Sequence, residues 1–203
     1  MKFAIVSFLF LSAGFGQSPS RMEITLERRE GNAWKAVDPG LVLASKEKVR
    51  FRFRSNFKGY LYVINHSTSG TNTLLFPRQD TGSMNAMEAG KEYVVPATGG
   101  AFRVEGPAGY DVISWMVSPV TLAAPSLPEQ TAPKVPVEMK PRCDDTILRA
   151  RGDCVDTSAG PTAQKNDPAS RDLMFMRQKN SSVISSQAPL EKPMVYEFRL
   201  AHR

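Results

Sequence analysis

Between residues 22 and 117 apolar side chains recur mainly at every second position, in short runs broken by turn formers. Met22, Ile24 and Leu26 alternate with Glu23, Thr25 and Glu27, the period of a half-buried strand. Val49, Phe51 and Phe53 alternate in the same way with Arg50, Arg52 and Arg54. Residues 60–64 are apolar or aromatic at every position, which predicts a central strand covered on both sides. Residues 74–76, 93–95, 101–104 and 112–117 continue the series, separated by Gly70, Gly82, Gly90, Gly99-Gly100 and Gly106-Pro107-Ala108-Gly109. No stretch in this span sustains a helical period. The pattern predicts an all-β chain, an antiparallel β-sandwich or open barrel of about seven to nine short strands.

Beyond residue 117 the pattern lapses. Pro119, Pro125, Pro128, Pro133, Pro136 and Pro141 interrupt any helix and remove donors from any ladder, which predicts an extended, semi-rigid connector. Residues 155–170 also read as polar loop. Strand periodicity returns at residues 172–177 and 194–200. An isolated strand has no independent stability, so these are expected to rejoin the sandwich and make the Pro-rich stretch an excursion. The expected organisation is a signal peptide over residues 1–16, a sandwich domain over 17–122, a Pro-rich connector over 123–170 and completing strands over 171–203.

The amino-terminal segment carries the compartment. Lys2 precedes an apolar run over residues 3–11, followed by Ser12, Ala13, Gly14 and Gly16, the small residues a signal peptidase requires at its cut. The run is too short to span a bilayer core of about 30 Å. We expect cleavage after Gly16. No cysteine follows the run, so no lipid anchor is expected, nor any transmembrane segment in the mature chain. It is read as periplasmic or extracellular. In such an oxidising compartment Cys143 and Cys154 are expected to pair, a link worth about 3 kcal/mol for a loop of this size.

Composition narrows the chemistry. At 41% hydrophobic and 23% charged residues the chain matches ordinary globular usage, not disordered or fibrous classes. His66 and His202 are the only histidines, and no serine lies in a nucleophile elbow. No metal, cofactor or catalysis is expected. The most distinctive pattern is Lys46, Lys48, Arg50, Arg52 and Arg54, basic at every second position and therefore on one face of a strand, with Lys58 extending it. In a chain of net charge +6 such a stripe suits an envelope polyanion: lipopolysaccharide phosphate, an anionic lipid headgroup, an acidic glycan or an acidic partner surface. The competing reading is a solvated outer face, neutralised if Glu23 and Glu27 lie on a neighbouring strand. The exported location argues against nucleic acid.

Three lesser features have simpler readings. Trp34, Tyr60, Tyr62, Tyr93, Tyr110 and Trp115 are read as core aromatics rather than a sugar platform, with Trp34 the most exposed. Met174, Met176 and Met194 are read as packing residues rather than copper ligands. Arg151-Gly152-Asp153 is read as turn composition rather than an adhesion motif.

Gly59-Tyr60-Leu61-Tyr62-Val63, Leu75-Phe76-Pro77, Ala89-Gly90, Val95-Pro96 and Gly106-Pro107-Ala108-Gly109 occur in an order that resembles the bacterial family catalogued as domain of unknown function 4384, over roughly residues 45–122. The resemblance implies an all-β accessory module found behind signal peptides or fused to peptidase and kinase domains, with no catalytic residues. Together these readings predict a non-catalytic binding or protein-interaction module of the bacterial envelope. The alternative is a binder of envelope polyanions through the basic strand, and an enzyme of unrecognised type is a distant third.

Overall fold

The computed structural model describes residues 19–122, 154–165 and 167–203. In chain order the strands are β1 (Ser20–Glu30), β2 (Ala33–Ala36), β3 (Lys48–Ser55), β4 (Gly59–His66), β5 (Asn72–Phe76), β6 (Ala86–Met87), β7 (Glu92–Val95), β8 (Phe102–Arg103), β9 (Gly109–Ser118), β10 (Gly160–Ala163), β11 (Leu173–Arg177), β12 (Ser182–Ser186) and β13 (Met194–His202). A 3-10 turn at Pro168–Ser170 is the only helical element among the described residues.

The strands form two antiparallel sheets. One runs β11-β12-β1-β3-β7, with β2 beside β1 and β8 beside β3; the other runs β10-β13-β9-β4-β5, with β6 beside β4. Neither closes on itself, so the predicted sandwich is the architecture and the barrel is not. The core lies between them, where the alternation placed it: Met22, Ile24 and Leu26 of β1 and Val49, Phe51 and Phe53 of β3 are all nearly inaccessible. Trp115 of β9 sits at the centre, edge-on to Phe51 at 5.3 Å and Phe53 at 5.6 Å and stacked on Tyr196 at 6.2 Å. On the outside of the second sheet Tyr62, Met116 and Val195 form a separate buried cluster with Leu122, so β4 is covered on both faces as its sequence predicts.

The carboxy-terminal strands do rejoin the fold. β13 pairs along its whole length with β9, from Met194 opposite Val117 to His202 opposite Gly109, and β12 pairs with β1. The loop reading of residues 155–170 is corrected: Gly160–Ala163 is an edge strand on β13 despite Pro161, whose missing donor costs nothing at an edge. Strands β2, β6 and β12 also escape the sequence pattern. The signal segment, most of the Pro-rich connector, Cys143 and Arg151-Gly152-Asp153 lie outside the described residues. Cys154 is described, and it is buried with Val42, Ala159 and Ala201.

The motifs that carry the resemblance are scaffold. Gly59 has no room for a Cβ, which would stand 2.9 Å from the carbonyl oxygen of Ser118. The peptide bonds Phe76-Pro77 and Val95-Pro96 are both cis, and the two loops they open dock on each other: the Ala97 amide donates to the Thr81 carbonyl at 2.7 Å, and the Thr98 hydroxyl to the Asp80 carbonyl at 2.8 Å.

Candidate functional site

Register decides the fate of the basic stripe. β1 and β3 are aligned with Glu23 opposite Arg54, Thr25 opposite Arg52 and Glu27 opposite Arg50, and β7 places Glu92 opposite Arg54 on the other side. Acidic outward positions therefore flank basic ones. Glu27, with only 7% of its side chain exposed, accepts a hydrogen bond from Arg50 Nε at 2.6 Å and another from Arg52 Nε at 2.9 Å. Arg52 Nη1 donates to Glu92 Oε2 at 3.0 Å, and Arg54 Nη2 lies 3.9 Å from Glu23 Oε2. Against the lowering effect of burial, the bonds to Glu92 and Glu27 hold the Arg52 pKa above its ordinary value.

Trp34 is not the exposed aromatic expected from its polar surroundings. It lies half-buried under two guanidiniums, with the Arg50 Cζ 4.5 Å and the Arg29 Cζ 5.5 Å from its ring centre. Lys46 is a correction too. It precedes β3 with φ at 70°, in the turn that ends on the Lys46 amide bonding the Val104 carbonyl, so it does not share the strand face. Lys48 and Lys58 are exposed at the two ends of β3. The hollow on this face, about 320 Å³, is lined by Arg52 and Arg54 but equally by Glu23 and Glu92. It is a balanced charge surface, not a cationic one.

The second exposed feature is β11. This strand has β12 on one side and, among the described residues, no strand on the other. Its inward residue Phe175 packs edge-on against Tyr196 at 6.3 Å. Met174 and Met176 must then face outward, and they are 54% and 62% exposed. The expectation that they pack in the core is therefore wrong in phase, and Met194, buried in the core on β13, is not beside them to complete a metal site. No grouping of His, Cys, Asp and Glu capable of holding a metal occurs among the described residues.

A third cluster ties the segment after Cys154 to the second sheet. The Asp156 carboxylate is inaccessible; it accepts the Tyr110 hydroxyl through Oδ2 and the Ser158 amide through Oδ1 at 2.7 Å. The Tyr110 phenol is pushed up to about 12, first by burial and then by this bond. The folded chain thus holds that proton more tightly than the unfolded chain, whose tyrosines titrate near about 10. The resulting stabilisation is complete below about pH 10 and disappears as the pH rises through about 12. Tyr110→Phe is therefore expected to flatten the decline in stability over that window, measured as urea midpoints at successive pH values.

The two histidines are apart. His66, at the end of β4, holds Asn72 Oδ1 through Nδ1 at 2.8 Å. His202 is fully buried beside Asp111, a pairing that nothing local in the sequence announces.

The comparisons with known proteins agree with the scaffold. The family model described as Domain of unknown function (DUF4384) matches residues 42–120, a span that runs from the approach to β3 through β9 and contains every motif that suggested it. No characterised protein and no solved structure matches the chain. β1, β2 and β10 to β13 fall outside the matched span, yet β1 flanks β3 and β13 flanks β9. Residues 42–120 thus match the DUF4384 family model, and they are built into a sandwich that the strands before and after this span complete.

Proposed function

We propose that this protein is an exported, non-catalytic module of the bacterial envelope that docks a protein partner through the β11 edge. The observation carrying the reading is the placement of Met174 and Met176, more than half exposed, on the outer face of a strand whose far edge has, among the described residues, no strand beside it. An extended partner segment gains main-chain hydrogen bonds from such an edge and side-chain contacts from the adaptable thioethers. The export segment and the Cys143–Cys154 pair belong to the same reading. A mature protein isolated from the envelope is expected to begin at Gln17 and to lack both thiol hydrogens by intact mass.

The polyanion reading loses its motive, because Glu23, Glu27 and Glu92 face the arginines that were to supply it. The two readings separate experimentally. Residues 17–203 are immobilised, exposed to envelope extract, and washed in low and then high salt. Docking through β11 predicts a protein that survives high salt, since buried apolar contacts are not screened. The double variant Met174→Ser, Met176→Ser is expected to retain at least about tenfold less of it at an unchanged melting temperature. Retention unaffected by the double variant overturns the docking surface, and anionic material released by salt restores the polyanion reading.

A further inference from the structure

At the end of the sandwich where β4 and β13 finish and β3 and β9 begin, the interior holds a cavity of about 110 Å³. One wall is apolar, made by Phe51, Leu75, Phe102 and Ile113; the other carries Asn65 and Asp111. Three observations give the polar wall a direction. Asp111 is 7% exposed, and its Oδ1 accepts the Thr68 amide at 2.9 Å while its Oδ2 makes no hydrogen bond among the described residues. Asn65 Oδ1 is buried and also has no hydrogen-bond partner. The one basic side chain near enough to pair with Asp111 is the fully buried His202, whose Nε2 stands 3.4 Å from Oδ1 without making a hydrogen bond.

The groups on this wall that make no hydrogen bond among the described residues include two oxygen acceptors, Asp111 Oδ2 and Asn65 Oδ1, and the exposed Arg103 guanidinium is turned outward to Glu105. The buried amide oxygen of Asn65 is costly without a donor, and the Asp111 carboxylate beside it, only partly solvated, favours a cation. The opposite wall rewards hydrocarbon. An anion is disfavoured by Asp111, and a plain hydrocarbon leaves both oxygens unanswered. The volume is somewhat below the roughly 150 Å³ of an apolar protein cavity known to admit benzene. Access lies beside Arg103, which also lines the cavity, is 56% exposed and is drawn outward to Glu105 at 3.9 Å.

We infer that this cavity is a binding site for a small aliphatic amine, its ammonium group on Asp111 Oδ2 and Asn65 Oδ1 and its alkyl body against Phe51, Leu75, Phe102 and Ile113. The inference is independent of the β11 surface, which lies on the outer face of one sheet, whereas the cavity lies between the two sheets. Isobutylamine is the probe, with isobutanol and isobutyrate as neutral and anionic analogues of the same body. Titration followed by amide and side-chain NMR is expected to give saturable shifts at Asn65, Ile113 and Leu75 with isobutylamine, at millimolar affinity for so few atoms. Isobutanol should bind at least about tenfold more weakly, because charge-assisted hydrogen bonds are about twice as strong as neutral ones. Isobutyrate should not saturate.

Asp111→Asn keeps an acceptor for the Thr68 amide and turns the free oxygen into a donor. It is expected to weaken isobutylamine at least about tenfold. Leu75→Phe, which fills the apolar wall from a half-buried position, should abolish the shifts and keeps the test valid if Asp111→Asn does not fold. Equal binding of all three probes, unchanged amine affinity in either variant, or no saturable shift at these residues overturns the inference.

Discussion

Gly40→Ala is expected to destabilise the protein by about 3 kcal/mol and to lower its melting temperature by roughly 6–12 °C. Gly40 is buried in the turn Asp38-Pro39-Gly40, where its amide donates to Asp38 Oδ1 at 2.8 Å. Arg177, at the end of β11, reaches across it to the same Asp38 carboxylate. From the other side the Asp156 amide donates to the Gly40 carbonyl at 2.8 Å. A Cβ at this position collides with the Arg177 guanidinium and with the Asp156 carbonyl oxygen. The guanidinium ends a flexible side chain and can leave. The carbonyl cannot, because the Asp156 main chain is fixed by its bond to Gly40, by the Ala159 amide at 3.2 Å and by its buried carboxylate. Differential scanning calorimetry on Gly40→Ala with and without Arg177→Ala distinguishes the two contacts. Most of the loss should persist in the double variant; full recovery there would place the whole effect in the arginine.

Gly40 also marks what a sequence reading can and cannot reach. Alternation identified the inner faces of β1 and β3 because Met22, Ile24 and Leu26 and Val49, Phe51 and Phe53 contrast sharply with the charged residues between them. In β11 both sets are apolar, Leu173 and Phe175 against Met174 and Met176. The period is then visible but its phase is not, and the docking of Phe175 on Tyr196 sets it. β12 and β10 carry too little pattern of their own; they are strands because β1 and β13 offer edges to pair with. Lys46 shows the reverse error, since basic alternation runs past the point where the backbone turns at φ 70°.

The same limit governs the candidate sites. That Glu23 and Glu27 would meet the arginines depends on which strands are neighbours, and local periodicity does not fix a neighbour. Asp111 and His202 are adjacent only because β9 and β13 pair along their length, with Asp111 opposite Leu200. Asn65 joins them because β4 flanks β9 on the other side, where Asn65 stands opposite Ile113. Turn chemistry, by contrast, depends on a few consecutive residues. The glycines and prolines that suggested the family were therefore legible as scaffold.

Glu27→Ala is expected to destabilise the protein by about 2–3 kcal/mol while raising its affinity for polyanions above that of the native protein. Removing one partner of a fully buried ion pair costs about 3–5 kcal/mol. Here the cost is discounted, because Arg50 and Arg52 retain 21% and 35% side-chain exposure and can partly rehydrate. Arg52 also keeps Glu92, whereas Arg50 keeps only the face of Trp34. Loss of the carboxylate leaves Arg50, Arg52 and Arg54 on one strand face with two acidic neighbours, Glu23 and Glu92, in place of three. Glu27→Gln should lose nearly as much stability, since it preserves shape and removes the charge that both guanidiniums share. Urea midpoints report the stability, and co-sedimentation with vesicles of anionic lipid reports the affinity. Native protein that stays in solution while Glu27→Ala sediments, reversibly in high salt, assigns the stripe to the internal charge network of the sheet. Sedimentation of the native protein, abolished by Arg54→Ser at unchanged stability, would assign it to a ligand instead, because Arg54 is the most exposed of the three arginines and the least firmly paired.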